Sequence, residues 1–159
     1  MLDGDEVDLG STALRLDRQL CFMLYACSRA MTKAYQPMLR ALGITYPQYL
    51  VLMVLWEWSE AEPKESSVSA LGLRLQLDSG TLTPLLKRLE GQGFLIRERD
   101  VADERRVLVR ATASGLALEA RALEWVKGGA EALEAGAPGV AELRAQLQVL
   151  HKTLLSLTA

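Results

Sequence analysis

The stretch from Ser67 to Ala111 narrows the possible folds more than any other part of the chain. Ser67 suits a helix N-cap, and Val68, Leu71 and Leu75 then recur at helical spacing. After Gln76-Leu77, Asp78 and Ser79 suit the cap of a second helix, Gly80 to Gln92, with Leu82, Leu85, Leu86 and Leu89 apolar. Two short helices joined by so tight a turn predict a helix-turn-helix. Pro84 sits far enough inside the second helix to remove a backbone bond and bend its first turns, and Gly93 ends it. Phe94 to Arg99 and Arg106 to Ala111 then alternate or nearly so, with the charged run Asp100 to Arg105 between them. That is a β-hairpin directly after a helix-turn-helix. The fold class expected is mainly α with a small β-hairpin wing (α+β): a winged helix-turn-helix.

The flanks read as helices. From Leu16 to Leu42 an apolar stripe runs through Leu20, Leu24, Cys27, Met31, Tyr35, Met38 and Leu42, and Pro37 should kink or interrupt it. Gly43 closes that helix. Thr45 with Gln48 forms a capping-box signature for the next one, with Pro47 in its first turn and Ile44 and Tyr49 as a staple. That helix, through Leu50 to Trp56, is apolar nearly all round and so belongs in a core. Glu60 to Ser66 reads as a charged loop. Thr112 should cap a further helix to about Glu134, weakened by Gly128-Gly129. Beyond Gly136 to Gly139, Leu143, Leu147, Leu150, Leu154 and Leu157 step by four and three, a seam that needs another helix over it, of this chain or of a second subunit. The expected organisation is a flexible arm (1–13), N-terminal helices carrying a sensor cysteine and part of a dimer interface (14–60), a winged helix-turn-helix lobe (61–112) and C-terminal dimerisation helices (113–159).

Composition excludes several function classes. No apolar run approaches the roughly 18 residues of a membrane span. The acidic start, Met1 to Glu6, lacks the basic and apolar regions of a signal peptide, so a cytoplasmic protein is expected. His151 is the only histidine and there are two cysteines, so neither a metal site nor a disulfide framework is expected, and no cofactor. The formal net charge is −2, yet from Lys87 to Arg110 seven Lys/Arg outnumber five Asp/Glu. A local basic patch on an acidic body is compatible with DNA binding.

The residues expected to read DNA follow from groove geometry. A helix enters the major groove with its N-terminal residues at the base edges, which singles out Ser79, Thr81 and Thr83, with Lys87 and Arg88 further along for phosphates. Arg105 at the hairpin tip suits a narrow minor groove, and Asp103 is placed to steady it; Arg97, Arg106, Arg99 and Arg110 suit backbone phosphates. The plain alternatives are a solvated charged helix and a surface ion pair. Two such modules in a homodimer would bind a pseudo-palindromic operator in double-stranded DNA.

Cys21 lies near the start of the first helix, where the helix dipole and unpaired N–H groups favour a thiolate that peroxides oxidise to a sulfenic acid. The plain alternative is a small buried hydrophobe. Cys27 falls on the main apolar stripe and is expected to be inert core. Six helical residues rise about 9 Å, beyond the roughly 4.4–6.8 Å that a disulfide tolerates between Cα atoms. The two therefore do not pair within an intact helix. All four tyrosines, Tyr25, Tyr35, Tyr46 and Tyr49, lie between residues 25 and 49, either as hydrogen-bond partners of a thiolate or as core aromatics with polar tips.

Taken together, Leu20 to Tyr25, Ser28 to Lys33, Thr45 to Leu50, Leu77 to Lys87 and Asp103 to Arg106 closely resemble the MarR family, in its organic hydroperoxide resistance regulator branch. The resemblance covers residues 16 to 118 well, and the C-terminal helices only by pattern. It implies a homodimeric repressor whose first and last helices form the interface. Cys21 matches the peroxide-reactive cysteine, Tyr35 and Tyr46 the tyrosines that hydrogen-bond it, with Tyr25 nearby, and Arg105 the wing-tip arginine. Reduced protein would hold its operator and organic hydroperoxide would release it. Some members bridge the sensor to a second cysteine in the C-terminal half. None follows Cys27 here, so a mixed disulfide with a small thiol is the expected end point. The loop from Glu57 to Ser66 reads as longer than in relatives. Two rival readings stand beside this one: a MarR-type regulator answering to a phenolic ligand, and a thiol peroxidase. The peroxidase would need a resolving cysteine, and none is in reach.

Overall fold

The computed structural model describes residues 14–61, 66–137 and 139–157. The arm expected over 1–13 and Pro63 in the expected loop lie outside the described residues. A 3-10 turn, Leu16–Arg18, precedes α1 (Leu20–Ala34), α2 (Gln36–Leu42) and α3 (Tyr46–Ala61). Then come α4 (Val68–Leu75), α5 (Ser79–Gly91), β1 (Leu95–Arg99), β2 (Val107–Ala111), α6 (Ala113–Gly136) and α7 (Val140–Leu157). The chain divides into two compact units at Val51 and Leu52, inside α3. No single helix among the described residues is long and apolar enough to cross a membrane.

In the first unit the long helix expected from Leu16 to Leu42 is two helices. Tyr35 ends α1, and Pro37, at the start of α2, cannot donate a backbone bond there. Gly43 terminates α2 at φ 70°, the left-handed conformation that a side chain would resist. The Gln48 side-chain Oε1 accepts from the Thr45 backbone N–H at 2.8 Å, the backward limb of the capping box. Ile44 and Tyr49, the expected staple pair, are both buried, as are Met38, Leu39, Leu42 and Val51. By contrast, α1 buries none of its residues.

In the second unit α3 continues to Ala61, so Glu57 to Ala61 are helical rather than loop. This corrects the expected span of the Glu57–Ser66 loop: the helix runs on past its apolar stretch through the largely exposed Glu57 to Ala61. Both expected caps of the helix-turn-helix are present. Ser67 accepts from the Ala70 N–H at 3.1 Å and Asp78 from the Thr81 N–H at 2.9 Å. Between the two helices Gln76 takes a left-handed conformation, φ 55°. Pro84 does not interrupt α5, which stays helical from Ser79 to Gly91. The hairpin pairs antiparallel with Leu95 opposite Ala111 and Arg99 opposite Val107. A third short contact joins the wing: Ser67 bridges Leu108, and the Val109 N–H donates to the Ser66 carbonyl at 2.8 Å.

The start of α6 is fixed to this lobe. Thr112 accepts from the Gly115 N–H and donates its hydroxyl to the Gly93 carbonyl at 2.6 Å. The Trp56 indole donates to the Gly115 carbonyl at 2.9 Å in a buried contact. Gly115 lies so close to Phe94 that a Cβ there would stand 2.0 Å from the Phe94 carbonyl oxygen, so only glycine fits. α6 buries Gly115, Leu118 and Ala122 near its start, and α7 buries nothing.

Candidate functional site

Two sets of residues matter, one in each unit. In the first unit Cys21 is the second residue of α1, and it is exposed. That position is among the helix's unpaired backbone N–H groups, at the positive end of its dipole. The buried-hydrophobe alternative for Cys21 does not hold in the protomer. Cys27 needs a correction too: it is exposed, not core, and no residue of α1 is buried among the described residues of the protomer.

The tyrosines fall into two places. Tyr25, one helical turn after Cys21, accepts a hydrogen bond at its hydroxyl from Arg29 at 3.2 Å, and the Arg29 guanidinium carbon lies 5.5 Å from the Tyr25 ring centroid. Tyr35, Tyr46 and Tyr49 form a cluster, with ring centroids 5.5 Å (Tyr35–Tyr46), 5.7 Å (Tyr35–Tyr49) and 6.3 Å (Tyr46–Tyr49) apart. Burial, reinforced by Tyr35, raises the Tyr46 phenol above its ordinary value and pushes Tyr49 up to about 12. Both phenols therefore stay protonated, and so remain donors, throughout the neutral range. Tyr35 cannot reach Cys21 of its own chain: fourteen residues of α1 separate them, about 21 Å of rise. The expected partnership of Cys21 with Tyr35 is thus excluded within one protomer and left open only across two.

In the second unit α5 buries Leu82, Leu86 and Leu89 and leaves Ser79, Thr81, Thr83, Lys87 and Arg88 exposed. Ser79, Thr83 and Lys87 step by four along one outward line. Thr81 is partly committed, since its hydroxyl donates to Asp78 at 2.8 Å. That bond and the Thr81 backbone N–H hold the Asp78 carboxyl below its ordinary range.

At the wing tip the Arg105 guanidinium is almost fully exposed. It donates to both oxygens of Asp103, at 3.1 and 3.3 Å, and the Arg105 backbone N–H adds a third bond at 3.1 Å. Asp103 is held below its usual carboxylate range by these bonds, the Arg105 side chain foremost. Arg106 lies 3.8 Å from Asp100, and Arg110 reaches across the strands to Glu98. Arg97, expected among the phosphate contacts, is instead half-buried. Its side chain donates twice to Glu90 Oε2, at 3.2 and 2.5 Å, and its backbone N–H donates to Oε1. These side-chain bonds use two of the five guanidinium donors and tie β1 to α5. The pairing of Ser66–Ser67 with β2, the Trp56–Gly115 bond and the Gln76 turn were all missed from sequence. Of these only Ser67, as a cap, carried a local signal.

Comparison with known proteins agrees with this geometry. A family model described as transcriptional regulator SarA/Rot matches residues 33–118. The organic hydroperoxide resistance transcriptional regulator of Bacillus subtilis (strain 168) is 50% identical over 111 residues, 70% of this chain and 72% of that one. This chain belongs to the MarR family of winged-helix regulators, in the organic hydroperoxide resistance branch. The solved structure of AbfR of Staphylococcus epidermidis shares 35% identity with the regulator at a TM-score of 0.71, covering 91% of this chain and 94% of that one. Reduced AbfR bound to DNA shares 34% identity at a TM-score of 0.74, covering 91% and 97%. The matched stretch covers 52% of one further curated relative and 65% of another.

Proposed function

We propose that the protein is a homodimeric transcriptional repressor that holds its operator while Cys21 is reduced and lets go when an organic hydroperoxide oxidises it. The observation that carries the reading is the placement of Cys21: exposed, at the dipole-positive start of a helix that buries nothing in its own protomer. A helix with an apolar stripe and no cover needs a partner. The exposed leucines of α7 need one as well, and a second copy of the chain supplies both. In such a dimer the Cys21 sulfur of one subunit meets Tyr35 and Tyr46 of the other, whose hydroxyls donate to it. Oxidation changes the acceptor those donors serve. The subunits then repack, and the spacing of the two recognition helices changes. Ser79, Thr83, Lys87 and Arg88 read the major groove, Thr81 accepts rather than donates, and Arg105 enters the minor groove. Arg106 adds to the phosphate contacts.

The bound operator is double-stranded and pseudo-palindromic, and the site of action is the cytoplasm. The relatives are regulators by name. This chain is likewise a one-shot sensor rather than an enzyme, since no described cysteine is placed to resolve Cys21 within its own helix. Operator binding titrated with cumene hydroperoxide tests the reading. The wild type should dissociate after about one equivalent per subunit, and Cys21→Ser should stay bound. Release of the serine variant at the same peroxide concentration would end the proposal. Continuous peroxide consumption with a thiol reductant would instead mark an enzyme.

A further inference from the structure

Asp78 and Thr81, at the start of the recognition helix α5, are joined by two hydrogen bonds whose direction is fixed by chemistry. Asp78 Oδ1 accepts from the Thr81 backbone N–H at 2.9 Å, and Asp78 Oδ2 accepts from the Thr81 hydroxyl at 2.8 Å. An ionised carboxylate has no proton to give, so the proton in the second bond is the threonine's. The ionised form is the one present at neutral pH, since the Thr81 hydroxyl and then its backbone N–H hold Asp78 below the ordinary carboxylate range. A Cβ on Gly80 would stand 3.0 Å from Asp78 Oδ1, so a glycine there leaves the carboxylate its room over the first turn.

A threonine hydroxyl has one donor and two acceptor lone pairs. With the donor spent inside the protein, Thr81 offers DNA only lone pairs and its methyl group. Asp78 has lone pairs to spare and no donor. Both residues are exposed, and neither side chain can donate to a base. In the major groove adenine presents an N6 amine and cytosine an N4 amine, whereas guanine O6 and thymine O4 accept. Every base pair carries one amino base and one keto base, on opposite strands. An acceptor that faces one strand therefore distinguishes the two orientations of an A·T pair, and likewise of a C·G pair.

We infer that Asp78 sets the sequence specificity of the recognition helix. By holding the Thr81 proton it makes the start of α5 an acceptor-only reader, which selects adenine or cytosine over guanine or thymine at one position of each half-site. The inference deepens the major-groove reading of α5 and rests on it. Asp78→Asn reverses the polarity and keeps the cap, because asparagine caps a helix as well as aspartate does. The cap bond from the Thr81 backbone N–H takes the single amide oxygen. The amide nitrogen then stands beside the Thr81 hydroxyl and donates to it, and the threonine proton is free to turn outward. Loss of the Asp78 charge also strengthens phosphate contacts, but by the same factor for every sequence, so that effect cancels between operators.

The test selects operators for the full-length reduced protein from a randomised double-stranded DNA library. Affinity is then measured for the selected operator and for copies in which one base pair of one half-site is reversed. At one position the wild type should prefer the amino base on a given strand by about three- to tenfold, the worth of a single hydrogen bond. Asp78→Asn should abolish or invert that preference and leave the other positions as they were. Thr81→Val, which keeps the shape without the hydroxyl, should weaken it, and Thr81→Ser, which keeps the hydroxyl, should retain it. An unchanged preference in Asp78→Asn overturns the inference even if overall affinity rises, because the carboxylate then acts on phosphates alone. Loss of the preference in Thr81→Ser also overturns it, since the reader would be the threonine methyl group. If reversing base pairs changes wild-type affinity at no position in the half-site, the major-groove reading itself fails and the inference falls with it.

Discussion

Cys21 and Tyr35 stand at the two ends of one helix, fourteen residues and about 21 Å of rise apart, so a hydrogen bond between them has to join two subunits. Mixed dimers test this directly. One protomer carries Cys21→Ser and the other carries Tyr35→Phe with Tyr46→Phe. Each mixed dimer then has one complete composite site, formed by the cysteine of the second protomer and the tyrosines of the first. That cysteine should oxidise at the wild-type rate. In the homodimer of the phenylalanine variant it should oxidise about tenfold more slowly, as expected for loss of a hydrogen bond to a charged group. Equal slow rates in both dimers would place the tyrosines elsewhere.

At the wing tip, Asp103→Asn should leave thermal stability unchanged while weakening operator binding severalfold. The Asp103–Arg105 pair is solvent-exposed and contributes little to folding. Its effect lies in holding an otherwise mobile arginine ready for the groove. Arg105→Ala should cost about 1–3 kcal/mol of binding. Melting temperature and operator affinity, measured on the same preparations, separate the two effects. A drop in stability that matches the drop in affinity would make the pair structural.

Glu90 and Arg97 should account for part of the acid limb of stability. Hydrogen bonds from the Arg97 side chain hold the Glu90 carboxyl below its ordinary range. Its folded value is therefore depressed. The stabilisation is present above the ordinary glutamate range and is lost as pH falls through the folded value. Glu90→Gln should lower the melting temperature at pH 7 and flatten its fall between about pH 5 and pH 3, the window set by an ordinary glutamate near pH 4.3. Two parallel curves would show that the pair is not linked to folding.

The helix-turn-helix and hairpin were readable because each boundary carries a local chemical signal: Ser67, Asp78 and Thr112 cap, and Gly93 turns at φ 77°. Pro84 shows the limit of such signals, since α5 runs through it. Arg97 shows another. A strand arginine looks the same in sequence whether it faces phosphate or a glutamate seven residues back, and only the fold brings Glu90 beneath it. Cys27, expected in the core, is exposed, and Tyr35 lies too far along the helix to meet Cys21 of its own chain, for one shared reason. An apolar stripe states that something covers a helix, but not whether the cover belongs to the same chain.

Gly115 offers a sharp test of how the lobe is held to α6. A methyl group there would stand 2.0 Å from the Phe94 carbonyl oxygen, a backbone atom with no rotamer to move away, and the Gly115 carbonyl also receives the Trp56 indole. Gly115→Ala should therefore destabilise by about 3 kcal/mol despite removing no contact. Trp56→Phe, which loses a buried hydrogen-bond donor and part of the ring that fills the core, should cost about 1–3 kcal/mol. Urea denaturation measures both, and a neutral Gly115→Ala would mean that Phe94 and α6 part more easily than their approach implies.

The α7 seam decides whether two copies assemble as proposed. Leu143, Leu147 and Leu154 are each 39–53% exposed in the protomer, at the spacing of a helix-to-helix contact. Val149, 66% exposed, points to the opposite side of the same helix. Leu147→Glu with Leu154→Glu places two carboxylates in the seam of each subunit, and two-fold symmetry doubles the count to four. Burying such charges unpaired is costly enough to disfavour the dimer at micromolar concentration. Sedimentation should show monomer, and operator affinity should collapse because each half-site then binds alone. Val149→Glu adds one charge to the other face of the helix and should leave both dimer and affinity intact. If the double variant remained a dimer with full operator affinity, the cover for α7 would have to come from its own chain.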